Sequence, residues 1–312
     1  MSLLLFLATL PSLYWAQPVR TAPALKGAGI ERLCVPPESA AAWRDVGFTV
    51  VPLGERERSE RTRLQVPGLR SRAEVASATV RPWVNANGWR FLRAPEGRYW
   101  GDVPAGKAAL AAAEAFAYGA DAVLAIDPAD VESLGRMMAF LSSVPDRALP
   151  AARDIAVVDD GSPPVAEILN LMARRNLLFA VTRKEASDVA LNVRLGSKEF
   201  PRKEAQNPES FALSVRRRLT DGRRSLRVYG SEVVLARLCR DAGRARLHLL
   251  NYGGRTIDGL RVRLLGRWVP EEVRAFGQGP SAAEELLAAG GATEFSLGPL
   301  GPYAVVDLRA AN

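Results

Sequence analysis

Asp127 directly follows the apolar run Ala122-Val123-Leu124-Ala125-Ile126 and precedes Pro128, and Asp102, in Tyr99-Trp100-Gly101-Asp102, reads as a loop residue beside aromatics. A carboxylate at the end of a buried strand is where parallel α/β folds present acid–base groups. Two such carboxyls, about 5–5.5 Å apart or about 6.5–9.5 Å apart, can cleave a glycosidic bond with retention or inversion. Asp127 and Asp102 are therefore the candidate catalytic pair. Asp127 also suits a helix N-cap or a turn before Val131, since Asp is a favoured cap. Asp159 and Asp160, which end the run Ile155-Ala156-Val157-Val158, fit an Asx-turn into Gly161 better than a catalytic role.

The stretch Arg81-Pro82-Trp83-Val84-Asn85-Ala86-Asn87-Gly88-Trp89-Arg90-Phe91 gathers tryptophans, amides and arginines, and Trp100 follows shortly. Aromatic faces with a few placed polar groups are the general form of a saccharide pocket. Arg81, Trp83, Asn85, Asn87, Trp89 and Trp100 are the candidate substrate-binding residues, with carbohydrate as the partner. A hairpin whose tryptophans plug the end of a small α/β core is the alternative.

Other chemistries are poorly supplied. His248 is the single histidine and sits in the alternating run Arg246-Leu247-His248-Leu249-Leu250, which reads as a structural position. Cys34 and Cys239 lie in apolar, strand-like contexts. They suit two buried thiols, with one disulfide as the alternative in an exported chain. No Cys/His spacing fits a metal site. Gly27-Ala28-Gly29 precedes a strand, the wrong order for a dinucleotide fingerprint, so neither a metal nor a nucleotide cofactor is expected. The net charge of +8 comes mostly from Arg194 to Arg227, where ten basic residues face four acids. Only Phe211 interleaves that run between Phe200 and Tyr229. It lacks base-stacking platforms and reads as a solvated face, without a nucleic-acid partner.

The elements that must hold these residues fall into two kinds. From Gly29 to Val193, apolar strands alternate with helices: Ile30 to Val35, Phe48 to Leu53, Ala78 to Val84, Ala122 to Ile126, Ile155 to Val158, Leu177 to Val181 and Val189 to Val193. Helices are expected at Ser39 to Asp45, Ala105 to Tyr118, Val131 to Leu141 and Val165 to Arg175. Strands separated by helices imply parallel sheet. Glu55 to Arg63 and Gly68 to Glu74 are charge-dense and aperiodic, as in an exposed connection. From Leu226 the helical period gives way to short strands separated by turn signals such as Asn251-Tyr252-Gly253-Gly254, as in an antiparallel β-sandwich. At the N-terminus, Leu3-Leu4-Leu5-Phe6-Leu7-Ala8, Pro11 and Ala16-Gln17 resemble a secretory signal peptide. The expected division is residues 1–16 as signal, 17–147 as a reduced barrel-like α/β part, 148–225 as a second α/β unit and 226–312 as the sandwich. The mature chain is expected in the periplasm or outside the cell, with no integral membrane span.

The segment Leu247-His248-Leu249-Leu250-Asn251-Tyr252 and the closing run Leu300-Gly301-Pro302-Tyr303-Ala304-Val305-Val306-Asp307-Leu308 resemble the small C-terminal β domain of β-galactosidase-type glycoside hydrolases. In that family a (β/α)₈ barrel, an amidotransferase-like α/β unit and a β domain follow one another. The order here is similar. The resemblance implies α/β followed by all-β, with a reduced or compact (β/α) barrel-like part and a C-terminal antiparallel β-sandwich. Gly29 to Val144 is under half the about 250 residues of a full barrel. The Asn-Glu pair that usually marks the family's acid/base carboxylate is missing, and neither cysteine lies in the second unit. A single compressed barrel over Ile30 to Val193 is the alternative partition. The function implied is an exported, carbohydrate-associated protein that hydrolyses a glycosidic bond with paired carboxylates. The alternative is a non-catalytic glycan- or protein-binding module of the cell envelope.

Overall fold

The computed structural model describes residues 10–70, 83–279 and 281–311. Two compact units divide them: residues 10–70 with 85–148, and residues 83–84 with 149–311.

The first unit is built on a wholly parallel sheet. Its strands are β1 (Ser12–Tyr14), β2 (Arg32–Val35), β3 (Thr49–Pro52) and β4 (Thr62–Arg63). After the short strands β5 (Gly68–Arg70) and β6 (Trp83–Asn85), β7 (Arg98–Val103) and β8 (Asp121–Ile126) complete it. The order is β3-β2-β1-β8-β7-β4. β1 pairs with β8, Ser12 facing Val123 and Tyr14 facing Ala125, while β1–β2–β3 and β4–β7–β8 run in chain order. This is the cyclic order of a barrel, opened between β3 and β4, which share no register among the described residues. Among the described residues the barrel-like part is thus reduced to six strands.

Helices α1 (Ala22–Gly27), α2 (Ala40–Asp45), α3 (Glu55–Ser59) and α4 (Gly88–Arg93) are one or two turns each. α5 (Ala108–Tyr118) is alanine-rich and buried along nearly its whole length, which lets it pack closely against β7, β8 and α6 (Val131–Ser143). Gly119 closes α5 at φ 62°, the left-handed conformation that glycine adopts without steric cost.

Residues 12–14 lie inside the stretch that resembles a signal peptide, and they form the strand joining the two halves of this sheet. Leu13, Tyr14 and Trp15 are buried. A cut between Ala16 and Gln17 would remove that strand. Asp102, placed by its sequence in a loop, lies within β7. The aperiodic Glu55 to Arg63 stretch contains α3 and β4.

The second unit begins with a three-stranded parallel sheet, β9 (Ile155–Val158) between β10 (Phe179–Thr182) and β11 (Leu191–Arg194), with α7 (Pro163–Ala173) and α8 (Pro208–Leu219). Two antiparallel sheets follow. One is ordered β12 (Leu226–Tyr229), β15 (Leu260–Leu265), β18 (Ala292–Leu297), β17 (Ala283–Ala289). The other is ordered β13 (Val234–Arg240), β14 (Arg244–Asn251), β19 (Tyr303–Ala310), β16 (Trp268–Ala275). Alternate residues of both sheets, among them Leu247, Leu249, Val262, Leu264, Phe295 and Val306, meet in one hydrophobic core. On the other face of the second sheet, Asp307 accepts two hydrogen bonds from Arg246, at 2.7 and 2.9 Å, and His248 Nδ1 lies 2.7 Å from the Tyr303 hydroxyl. His248 is therefore structural. Cys34 and Cys239 are both buried free thiols. No described helix is long and apolar enough to cross a membrane.

Candidate functional site at the strand ends

Because all six strands of the first unit's main sheet run the same way, their C-terminal ends gather on one side, the side on which barrel-type sheets bind ligands. Partners in a parallel register face the same way. Trp100 is paired with Val123 and with Arg63, and Asp102 with Ala125, while Tyr14 is paired with Cys34 and Ala125. Tyr14, Cys34, Leu53, Trp100 and Val123 form an apolar cluster on that face. Tyr14 meets Trp100 edge-on, with ring centroids 4.9 Å apart.

Charged groups lie over this aromatic pair. The Arg58 guanidinium, carried by α3, is 5.1 Å from the Tyr14 ring and 5.7 Å from the Trp100 ring. Arg63 is 5.6 Å from the Trp100 ring and donates to Asp102 Oδ2. Trp100 Nε1 donates to Asp102 Oδ1 at 2.7 Å. Asp102 is nonetheless open to solvent, its side chain 66% exposed. At the other, N-terminal end of the sheet, Arg61 pairs with Asp121 at 3.1 Å. Burial pushes the Cys34 thiol up, opposed by a hydrogen bond with the Ser12 side chain. Burial also pushes the Tyr14 phenol up; Arg58 opposes the shift and Glu38 adds to it.

Asp127 follows β8 at the same end of the sheet. It stands two positions beyond Ala125, the register partner of Asp102. With a rise of about 3.3 Å per residue and strands about 4.8 Å apart, the two Cα atoms lie about 8 Å apart. Asp127 Oδ1 accepts from the Ala129 backbone N–H at 2.9 Å, capping the short 3₁₀ turn before α6. Asp159 and Asp160 accept from Gly161 and Ser162 backbone N–H groups, the Asx-turn arrangement, in the other unit.

The remaining candidate binding residues are dispersed. Asn87 is buried. It exchanges hydrogen bonds with the Gln65 backbone at 3.0 and 2.9 Å and donates to Glu114 Oε2 at 2.9 Å. Glu114, on α5, also accepts from the Asn87 and Gly88 backbone N–H groups at the start of α4. Asn85 donates to the Val66 carbonyl at 2.6 Å. These amides tie the segment after β4 to α4 and α5. Trp89 is half-buried beneath the Arg90 guanidinium, 4.3 Å from its ring. Trp83 falls in the other compact unit, with Arg174 3.6 Å over its ring. Arg81 lies outside the described residues. The structure thus brings Trp100, Asp102 and Asp127 to one end of one sheet. It adds Tyr14, Arg58 and Arg63, which their sequence context conceals. No group of three or more His, Cys, Asp or Glu side chains among the described residues could hold a metal ion.

A reduced parallel barrel followed by an antiparallel β domain is a glycoside-hydrolase-like fold. The α-L-fucosidase isoenzyme 2 from Paenibacillus thiaminolyticus aligns over 72% of this chain and 62% of its own, at 11% identity and a TM-score of 0.53. A GH42 β-galactosidase from G. stearothermophilus aligns over 78% of this chain and 53% of its own, at 10% identity and a TM-score of 0.35. This chain therefore spans between about half and three-fifths of these enzymes' lengths, and at 11% identity the likeness to the fucosidase is one of fold. No protein-family model and no curated protein sequence matches the chain.

Proposed function

We propose that this protein binds a saccharide at the C-terminal end of its parallel sheet and does not turn it over. The observation that carries this reading is the state of Asp102. It is an exposed carboxylate on the sheet's ligand-facing end, engaged by an indole N–H on one oxygen and a guanidinium on the other. Two fixed donors orient the carboxylate and leave lone pairs on its oxygens, which suits an acceptor for sugar hydroxyls. The fold shared with a solved fucosidase supports carbohydrate as the ligand class.

Hydrolysis is the second reading. It is favoured by the placement of Asp102 and Asp127 on neighbouring strands, at a spacing within reach of both glycosidase geometries. A glycan array and a panel of chromogenic glycosides, run on the full chain with Asp102→Asn and Asp127→Asn beside it, separate the two. Binding weakened by Asp102→Asn, with no release of chromophore, is the expected result. Turnover abolished by either substitution establishes hydrolysis instead. Absence of binding to every glycan overturns the saccharide reading.

A further inference from the structure

We propose that the saccharide carries an anionic group, a carboxylate or a sulfate ester, and that Arg58 binds it. This deepens the saccharide reading and rests on it. Four arginines occur between Glu55 and Arg63. Arg56 pairs with Glu60 at 3.1 Å, Arg61 with Asp121, and Arg63 with Asp102. Arg58 is different. Among the described residues no carboxylate pairs with its guanidinium and no acceptor takes its N–H groups, and its Nε is buried without a partner. Two aromatic rings from distant strands hold it instead.

Cation–π contact fixes a charge in place without supplying it with an acceptor. A guanidinium so held keeps a planar fork of donors, always charged and matched to the paired oxygens of a carboxylate or sulfate. A buried N–H without an acceptor is costly, and a ligand oxygen removes that cost. The acids nearby do not compensate Arg58. Asp102 is taken by Arg63 and Trp100, and Asp121 by Arg61. Arg58 is half-buried, so a ligand on the same face as Asp102 can reach it. A sugar ring whose hydroxyls meet Asp102 would then place its acidic substituent over α3.

Isothermal titration of the full chain with trigalacturonate, a sulfated galactose disaccharide and neutral β-1,4-galactotriose tests this. One or both anionic ligands are expected to bind about tenfold or more tighter than the neutral one. That advantage should shrink as ionic strength rises from about 20 mM to about 0.5 M. The better of the two identifies the acidic group. Arg58→Met, which keeps most of the stem and removes the charge, should abolish the preference, bringing the anionic affinities down to that of the neutral ligand. Arg58→Lys, which keeps the charge without the fork, should retain part of it and serves if the Met variant does not fold. Equal affinity for all three ligands, or a preference surviving Arg58→Met, overturns this inference and leaves the saccharide reading standing. No binding by any of the three overturns this inference, and the glycan array then decides the saccharide reading separately.

Discussion

His248 offers a clean test of the β-sandwich, because it is the single histidine in the chain. It is 6% exposed, its Nδ1 is 2.7 Å from the Tyr303 hydroxyl, and Arg237 and Arg246 are near enough to act on it. Burial first, and those two cations second, hold its pKa well below the usual 6.5. The folded protein therefore keeps the imidazole neutral while the unfolded chain protonates it below about pH 6.5. Where the unfolded state binds more protons, stability falls as pH falls. One unit below the unfolded pKa, at about pH 5.5, the loss is about 1.4 kcal/mol; at about pH 7.5 it is negligible. Carboxylates also titrate over such a range, so the test is a difference. Urea unfolding at both pH values, for the wild type and His248→Gln, should give the wild type an extra loss of about 1.4 kcal/mol at the lower pH. An equal loss in both proteins, or an imidazole that titrates near 6.5 in the folded state by NMR, would refute the reasoning.

Asp307→Asn should lower unfolding free energy by about 3–5 kcal/mol, because it deprives the Arg246 guanidinium of its bidentate carboxylate in a site where both side chains are under 5% exposed; chemical denaturation measures it. Gly135→Ala should cost about 1–3 kcal/mol and lower the melting temperature, since the added Cβ would sit 2.1 Å from the Ala28 carbonyl oxygen where α6 crosses the end of α1. Asp127→Ala should cost about 0.5–2 kcal/mol through the lost cap on Ala129, while Asp127→Asn, which can still accept that hydrogen bond, should melt near the wild type.

The elements legible in the sequence are those whose local pattern and final environment agree. Ile155–Val158 is a short apolar run bounded by polar residues and glycine, and it forms a central parallel strand with those bounds. The tail strands announce themselves by alternation and turn residues, and β14 keeps its apolar positions on the core side. β17 was concealed because Ala283–Ala289 is an exposed edge strand, with Leu286 and Leu287 half out in solvent. β7 was concealed for a different reason. Its glycine and charged residues read as a loop, yet Trp100 and Asp102 share one face of a parallel register. β1 sits among leader-like residues, so its hydrophobicity carried two meanings. Arg58 lies in a charge-dense run without a period, and the two rings that hold it come from strands far away along the chain. No local pattern reports a site made by such closure.

A crystal structure of the full chain with a bound oligosaccharide tests the central claim most directly. The account predicts a sugar seated at the C-terminal ends of β7 and β8, its hydroxyls on Asp102 and an acidic substituent on Arg58, with the glycosidic bond intact. A saccharide bound only on the β-sandwich, or a cleaved product lying between Asp102 and Asp127, would contradict it.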